Sequence, residues 1–184
     1  MENRIKQSKL INKVIIIVGV LLFLTLLVYW GNVALLTYSH PTDHFSIEYP
    51  SQWVKMENKD GASVVFISPK QNSLDTFQEN VNVVIQDLGE TPMSLGKYTE
   101  TAIFQMKVVF KASLQEVESK GTYLDGHPAY RFAYLIKGSP EIKMMHVWTI
   151  ERGKAYQVTC VALSSQFDEY DINFEKMINS FHIR

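Results

Sequence analysis

The stretch that most restricts the fold lies near the end of the chain. Met144 to Ile150 (MMHVWTI) and Ala155 to Leu163 (AYQVTCVAL) are two runs rich in β-branched and aromatic residues. Glu151-Arg152-Gly153-Lys154 between them is short and polar and carries a glycine. That is the pattern of a β-hairpin. Tyr156, Val158, Cys160 and Ala162 fall on one face of the second strand, because successive side chains point to opposite sides. A helix follows: Ser164-Ser165 opens it, with Asp168 three residues after Ser165 in a capping-box position. Phe167, Tyr170, Phe174, Met177, Ile178 and Phe181 then recur at helical spacing as one apolar stripe. A stripe that large has to lie on a sheet, so hairpin and helix together predict the core.

The other strong signal is at the opposite end. Residues 1–13 are polar, with Arg4, Lys6, Lys9 and Lys13 against one acid, Glu2. Residues 14–36 are a largely apolar run of 23 residues. As a helix this rises roughly 34 Å, enough to cross a hydrocarbon core about 30 Å thick. The basic flank holds the N-terminus in the cytoplasm and exports the rest; Trp30 and Tyr38 suit the outer interface. A cleaved signal peptide would have a shorter apolar stretch and an A-x-A-like site. The best match, Thr37-Tyr38-Ser39, lies well beyond Val28, and no cysteine directly follows the run to carry a lipid. The expectation is a cytoplasmic segment over 1–13, a single transmembrane anchor over 14–36, a polar linker over 37–44 and an extracytoplasmic domain over 45–184.

Within that domain, Phe45–Tyr49 alternates as a strand and stops at Pro50. Val54–Met56 continues extended, and Asn58-Lys-Asp-Gly61 reads as a turn. Ser63–Ile67 and Val81–Ile85 read as strands, with a loop over Gln71–Glu79. Ser94–Phe110 is a long helix with Leu95, Tyr98, Ala102, Met106 and Val109 on one face and Phe104 and Val108 opposite. Leu114–Tyr123 is a charged strand suited to a sheet edge. Leu124-Asp-Gly-His-Pro128 is a turn, and Ala129–Ile136 is a strand before the closing hairpin and helix. The order β-β-β-α-β-β-β-β-α predicts an α+β fold, an antiparallel β-sheet flanked by helices. A net charge of −1 favours no nucleic-acid partner, and a single cysteine excludes an internal disulfide.

FSIEYPSQW at Phe45–Trp53, ENVNVVIQDLG at Glu79–Gly89 and SLGKYTETAI at Ser94–Ile103 are words of a known kind. So are LDGHPAYRFAY at Leu124–Tyr134, VWTIERGKAYQVTC at Val147–Cys160 and the ending FEKMINSFHI. Together they resemble the PsbP family and the wider Mog1/PsbP-like fold across nearly the whole exported domain. They are strand starts, a glycine turn, a hairpin and a closing helix, not catalytic motifs. The resemblance implies an α/β/α sandwich. It also implies kinship with plant extrinsic subunits of photosystem II that help retain calcium and chloride, and with prokaryotic membrane-associated and lipoprotein forms. The chain departs from the photosynthetic pattern in having an anchor segment in place of a lumenal transit peptide.

Candidate chemistry is sparse. His40 and His44 flank Asp43 in the linker, a thin divalent-metal pattern interrupted by Pro41. Asp125 and His127 flank Gly126 and, with His146, offer a metal site; the plainer reading is turn chemistry for Asp125 and a core or cross-strand histidine at 146. His182 is expected at the end of the last helix, where a cation suits the dipole, and Cys160 as a buried structural thiol. No Gly-rich phosphate loop, G-x-S-x-G, H-E-x-x-H or C-x-x-C is present. The expected function is a membrane-tethered, extracytoplasmic, non-catalytic binding or accessory module. It docks on a membrane or envelope protein, with Phe104 and Val108 as the partner surface. The alternative is a metal- or small-ligand-binding protein using Asp125, His127 and His146, the metal being calcium or manganese as the resemblance implies.

Overall fold

The computed structural model describes residues 34–89 and 93–184, which form ten strands and two helices. Segment 1–13 and the expected span as far as residue 33 lie outside those residues. Among the described residues no helix is long and apolar enough to cross a membrane.

The strands are β1 (Leu35–Ser39), β2 (Phe45–Pro50), β3 (Val54–Lys59), β4 (Ala62–Ile67) and β5 (Asn80–Asp87). After helix α1 (Leu95–Phe110) come β6 (Leu114–Leu124), β7 (His127–Ile136), β8 (Ile142–Glu151) and β9 (Lys154–Leu163). Helix α2 (Phe167–Asn179) and the short β10 (His182–Ile183) close the chain. Seven strands make one antiparallel sheet in the order β3-β4-β5-β9-β8-β7-β6, and β1-β2-β10 make a second. β6 is an edge strand as its charges predict, and its pairing with β7 slips at a bulge between Glu116 and Glu118. The β8–β9 hairpin is the expected one: Arg152 and Gly153 both take positive φ in a two-residue turn between Glu151 and Lys154.

Each face of the large sheet carries one helix, which is the sandwich implied by the resemblance. Phe167, Phe174, Met177 and Ile178 of α2 pack on Val147, Tyr156, Val158, Cys160 and Ala162, in one core with Phe45 and Ile47 of β2. Here the stripe and the alternation match the sequence. On the other face α1 lies over Phe132, Tyr134 and Trp148 through Leu95, Tyr98, Ala102, Ile103, Met106 and Phe110.

Four expectations need correction. The linker over 37–44 is not one, and Leu36 is not the end of a helix: Leu35–Ser39 pairs with Phe45–Pro50, so the folded unit runs from Leu35 to Arg184. The pairing places Tyr38 in the core. The capping box at Ser165–Asp168 does not form. α2 is N-capped by Gln166 without a side-chain bond, and Ser164 instead donates to Glu141 Oε1 at 2.7 Å, fastening the β8 entry. α2 ends at Asn179, so Phe181 reaches the core from the segment after it, and His182 sits on β10. Val109 is 68% exposed, and Thr99, Ile103 and Phe110 take the inner face of α1 instead.

Candidate functional site

The expected metal ligands are not brought together. His146 lies on β8 beneath α1, fully buried, with both ring nitrogens occupied by protein. Gln157 Nε2 lies 3.2 Å and Thr159 Oγ1 3.0 Å from its Nδ1, and Tyr134 Oη lies 3.1 Å from its Nε2. The network is satisfied when Gln157 donates to Nδ1, Nε2–H donates to Tyr134, and the Tyr134 hydroxyl donates to Met144 Sδ at 3.5 Å. Burial pushes the imidazole down to about 4, so it is neutral at pH 7, and pushes the Tyr134 phenol up to about 12. This is a core histidine, not a ligand.

Asp125 and His127 sit at the β6–β7 turn, where Asp125 and Gly126 take the two left-handed positions. The Asp125 carboxylate accepts from the Ile183 N–H at 2.8 Å and contacts His182 Nδ1 at 3.0 Å. It therefore clamps the C-terminal strand rather than its own turn. Burial raises this carboxyl, but the bonds from His182 and Ile183 and the charges of His182 and His127 outweigh it and hold the group below its ordinary value. His127 faces Glu151 at 3.1 Å, across the hairpin end. His40 accepts from the Asp43 N–H at 3.0 Å and stacks on Phe45, while Asp43 accepts from Ser63. Among the described residues no three His, Cys, Asp or Glu side chains are grouped to hold a metal ion. Cys160 is buried, and burial drives its thiol well above the ordinary range, which leaves it protonated and inert.

The expected partner surface is exposed. Phe104 is 67% and Val108 53% accessible, on the side of α1 away from the sheet. Ser94 caps the helix by accepting from the Lys97 N–H at 3.2 Å, so this surface is held on a regular 16-residue element. Yet Thr99 is the one buried residue of α1, where its Oγ1 accepts from Trp148 Nε1 at 2.9 Å. A helix with six partly buried apolar contacts and one buried residue is covered by less protein than α2, which buries four.

Two features were missed from the sequence. α1 covers only the β6–β8 side of its face. On the β3–β5 side the same face is open: Val54, Met56, Val65, Ile67, Asn80, Asn82 and Val84 align across the strands. A trough of about 420 Å³ runs there from Lys59 and Asp60 to Val84. A legible signal was SVVFI, which is apolar on both strand faces although one side of an antiparallel sheet is usually wet. On the opposite face, a cavity of about 440 Å³ between β6–β8 and α2 is lined by Arg131, Lys143, Lys120, Glu118, Asp171 and Glu175. Arg131 pairs there with both Glu175 and Glu118, a cross-sheet ion network that no local sequence pattern announces.

A family profile described as PsbP matches residues 34–183. Among solved structures, cyanobacterial PsbP (CyanoP) from Synechocystis sp. PCC 6803 aligns at 20% identity and a TM-score of 0.62, covering 84% of this chain and 95% of that one. LpqN of Mycobacterium tuberculosis, involved in cell envelope biogenesis, aligns at 10% identity and a TM-score of 0.59, covering 82% and 90%. The Saccharomyces cerevisiae Ran-binding protein Mog1p aligns at 8% identity and a TM-score of 0.56, covering 83% and 96%. At these identities the likeness is one of fold. No curated protein matches the chain in sequence.

Proposed function

This chain belongs to the PsbP family, and from that premise we propose that it is a membrane-tethered, extracytoplasmic accessory module without catalytic chemistry of its own, docking on a membrane or envelope protein. The observation that carries this reading is the outer face of α1, where Phe104 and Val108 stand exposed on a capped, regular helix. Large exposed apolar side chains grouped on one element and rimmed by charge, here Lys97, Glu100 and Lys107, mark protein contact surfaces. The residues best suited to chemistry point the same way: His146 and Cys160 are buried and committed to the core. The tether rests on the basic segment ahead of the apolar run at 14–36.

A photo-reactive amino acid at position 104 of the full chain, irradiated in membranes, tests the docking. The expected result is one dominant adduct with an envelope or membrane protein, lost when Val108→Glu is added. No adduct overturns the docking surface. Protease added to intact cells or spheroplasts tests the topology: digestion of the domain from outside is expected, and protection until lysis overturns it.

A further inference from the structure

We infer that the occupant of α1's outer face is a second copy of this chain, in a two-fold dimer where each α1 fills the open half of the other's sheet; this rests on the docking reading above and names its partner. Two surfaces that no other described residue covers lie on the same side of the same sheet. One is a helix with apolar residues facing outward, Phe104 and Val108. The other is a bare half-sheet beside it, with Val65, Ile67 and Val84 in a trough and Val54 exposed at the edge. A two-fold axis lying along the helix, between two such faces, carries each helix onto the other copy's bare half. Residue 104 of one copy then meets the β4–β5 surface of its partner. This is the isologous arrangement, in which one patch completes itself.

The dimensions fit. Three strands about 4.8 Å apart give a slot roughly 14 Å wide, and a helix is about 10–12 Å across. A helix of 16 residues is about 24 Å long, and the eight residues of β5 span about 27 Å. Each helix-in-slot contact has a flat footprint of about 240 Å² per side, so two contacts give about 960 Å² over both copies before side-chain relief is counted, which is the size of a weak, reversible interface. The chemistry fits as well. The trough is lined by aliphatic groups and by the amides of Gln78, Asn80 and Asn82, with Lys59 and Asp60 only at one end. The helix presents an apolar centre with Lys97, Glu100 and Lys107 around it. A nearly charge-free centre inside a charged rim is the usual anatomy of a specific interface. A second hollow, lined by Tyr98, Thr101, Ala102, Gln105 and Gln86, follows the flank of α1. Gln86 is the next residue after Val84 on that face of β5, so the receiving surface reaches the helix itself.

The test uses two single-cysteine additions in the full chain, each differently tagged and purified in detergent micelles: Phe104→Cys in one and Val65→Cys in the other. Position 104 points away from its own sheet, and the native Cys160 is buried. With a bismaleimide, the mixture is expected to give a cross-linked band of twice the chain mass carrying both tags, at least tenfold more than either variant alone. Adding Val108→Glu to the Phe104→Cys copy is expected to remove it. Sedimentation of the unmodified chain should show a dimer that Phe104→Glu converts to monomer. A monomeric native chain, or equal cross-linking by one variant alone, overturns the dimer. If the position-104 adduct in membranes then has a mass other than twice the chain's, the docking surface stands and only the identity of its occupant fails.

Discussion

The buried His146 makes the domain's stability depend on pH in a predictable direction. Its imidazole is fully enclosed and pushed from 6.5 down to about 4. The folded pKa therefore lies below the unfolded one. Between the two, the unfolded chain binds more protons than the folded chain, so stability rises with pH there. The contribution is whole above about pH 6.5 and is lost as the pH falls toward 4. At about 1.36 kcal/mol per decade, the loss is roughly 3 kcal/mol, a large part of a typical domain stability of about 5–15 kcal/mol. Asp125 works in the same direction at the acid end, because its carboxyl is held below its ordinary value. A comparison with His146→Gln cancels that part. The glutamine loses shape against Tyr134 and Thr159 and should cost about 1–3 kcal/mol at pH 7, but it has no proton to take up. Urea unfolding of residues 34–184 at steps from pH 7.5 to pH 4 is the assay. The native protein should approach the variant by roughly 3 kcal/mol across that range. Parallel curves would show that His146 is protonated within the fold or hydrated there, and would refute the network drawn around it.

Other consequences follow from burial and pairing. Phe174 is fully buried against Phe167, Tyr170 and Trp53, with ring centroids 5.1, 6.1 and 6.3 Å away. Phe174→Ala should cost about 3–5 kcal/mol, and Phe104→Ala should leave the denaturant midpoint of residues 34–184 nearly unchanged; equal losses would place Phe104 in the core. A fragment beginning at residue 40 removes β1 and Tyr38 and should be less stable than one beginning at residue 34 by at least about 2 kcal/mol; equal midpoints would mean that β1 is dispensable. Asp125→Ala frees the Ile183 N–H and His182 and should cost about 1–3 kcal/mol, whereas His127→Ala breaks a partly exposed pair worth at most about 1 kcal/mol. Calorimetric titration with calcium and manganese should give no heat that His146→Gln removes; micromolar binding lost in that variant would revive the three-residue metal site.

What could be read in the sequence follows from what periodicity measures. The stripe of α2, the face of β9 and the hairpin turns each depend on residues close in the chain and were legible except at the helix ends, whereas the inner side of α1 was legible only at Leu95, Tyr98, Ala102 and Met106, with Thr99 and Ile103 missed. Helix ends were not, because Ser165 satisfies the capping pattern while Ser164 finds a better acceptor in Glu141, 23 residues away in the chain. β1 was hidden by the apolar run before it. Leu35 and Leu36 continue that run in composition, and hydropathy alone cannot separate the end of a span from a strand that pairs with Phe45–Pro50. The expected metal ligands are scattered for a related reason. Asp125 and His127 are neighbours in sequence, yet Asp125 takes His182 and Ile183 as partners and His127 takes Glu151. His146 shares a spacing with nothing, and its partners come from the two flanking strands, Tyr134 on β7 and Gln157 and Thr159 on β9. Two signals of the outer surface were local: the spacing that sets Phe104 and Val108 on the outer side of α1, and the pattern of β4. β4 carries Val64 and Phe66 toward the α2 core and Val65 and Ile67 toward the open face. A strand apolar on both sides asks for cover on both sides. Among the described residues α1 covers only the far half of that face, and the cover that β4 asks for on the near half is what the second copy proposed above would supply.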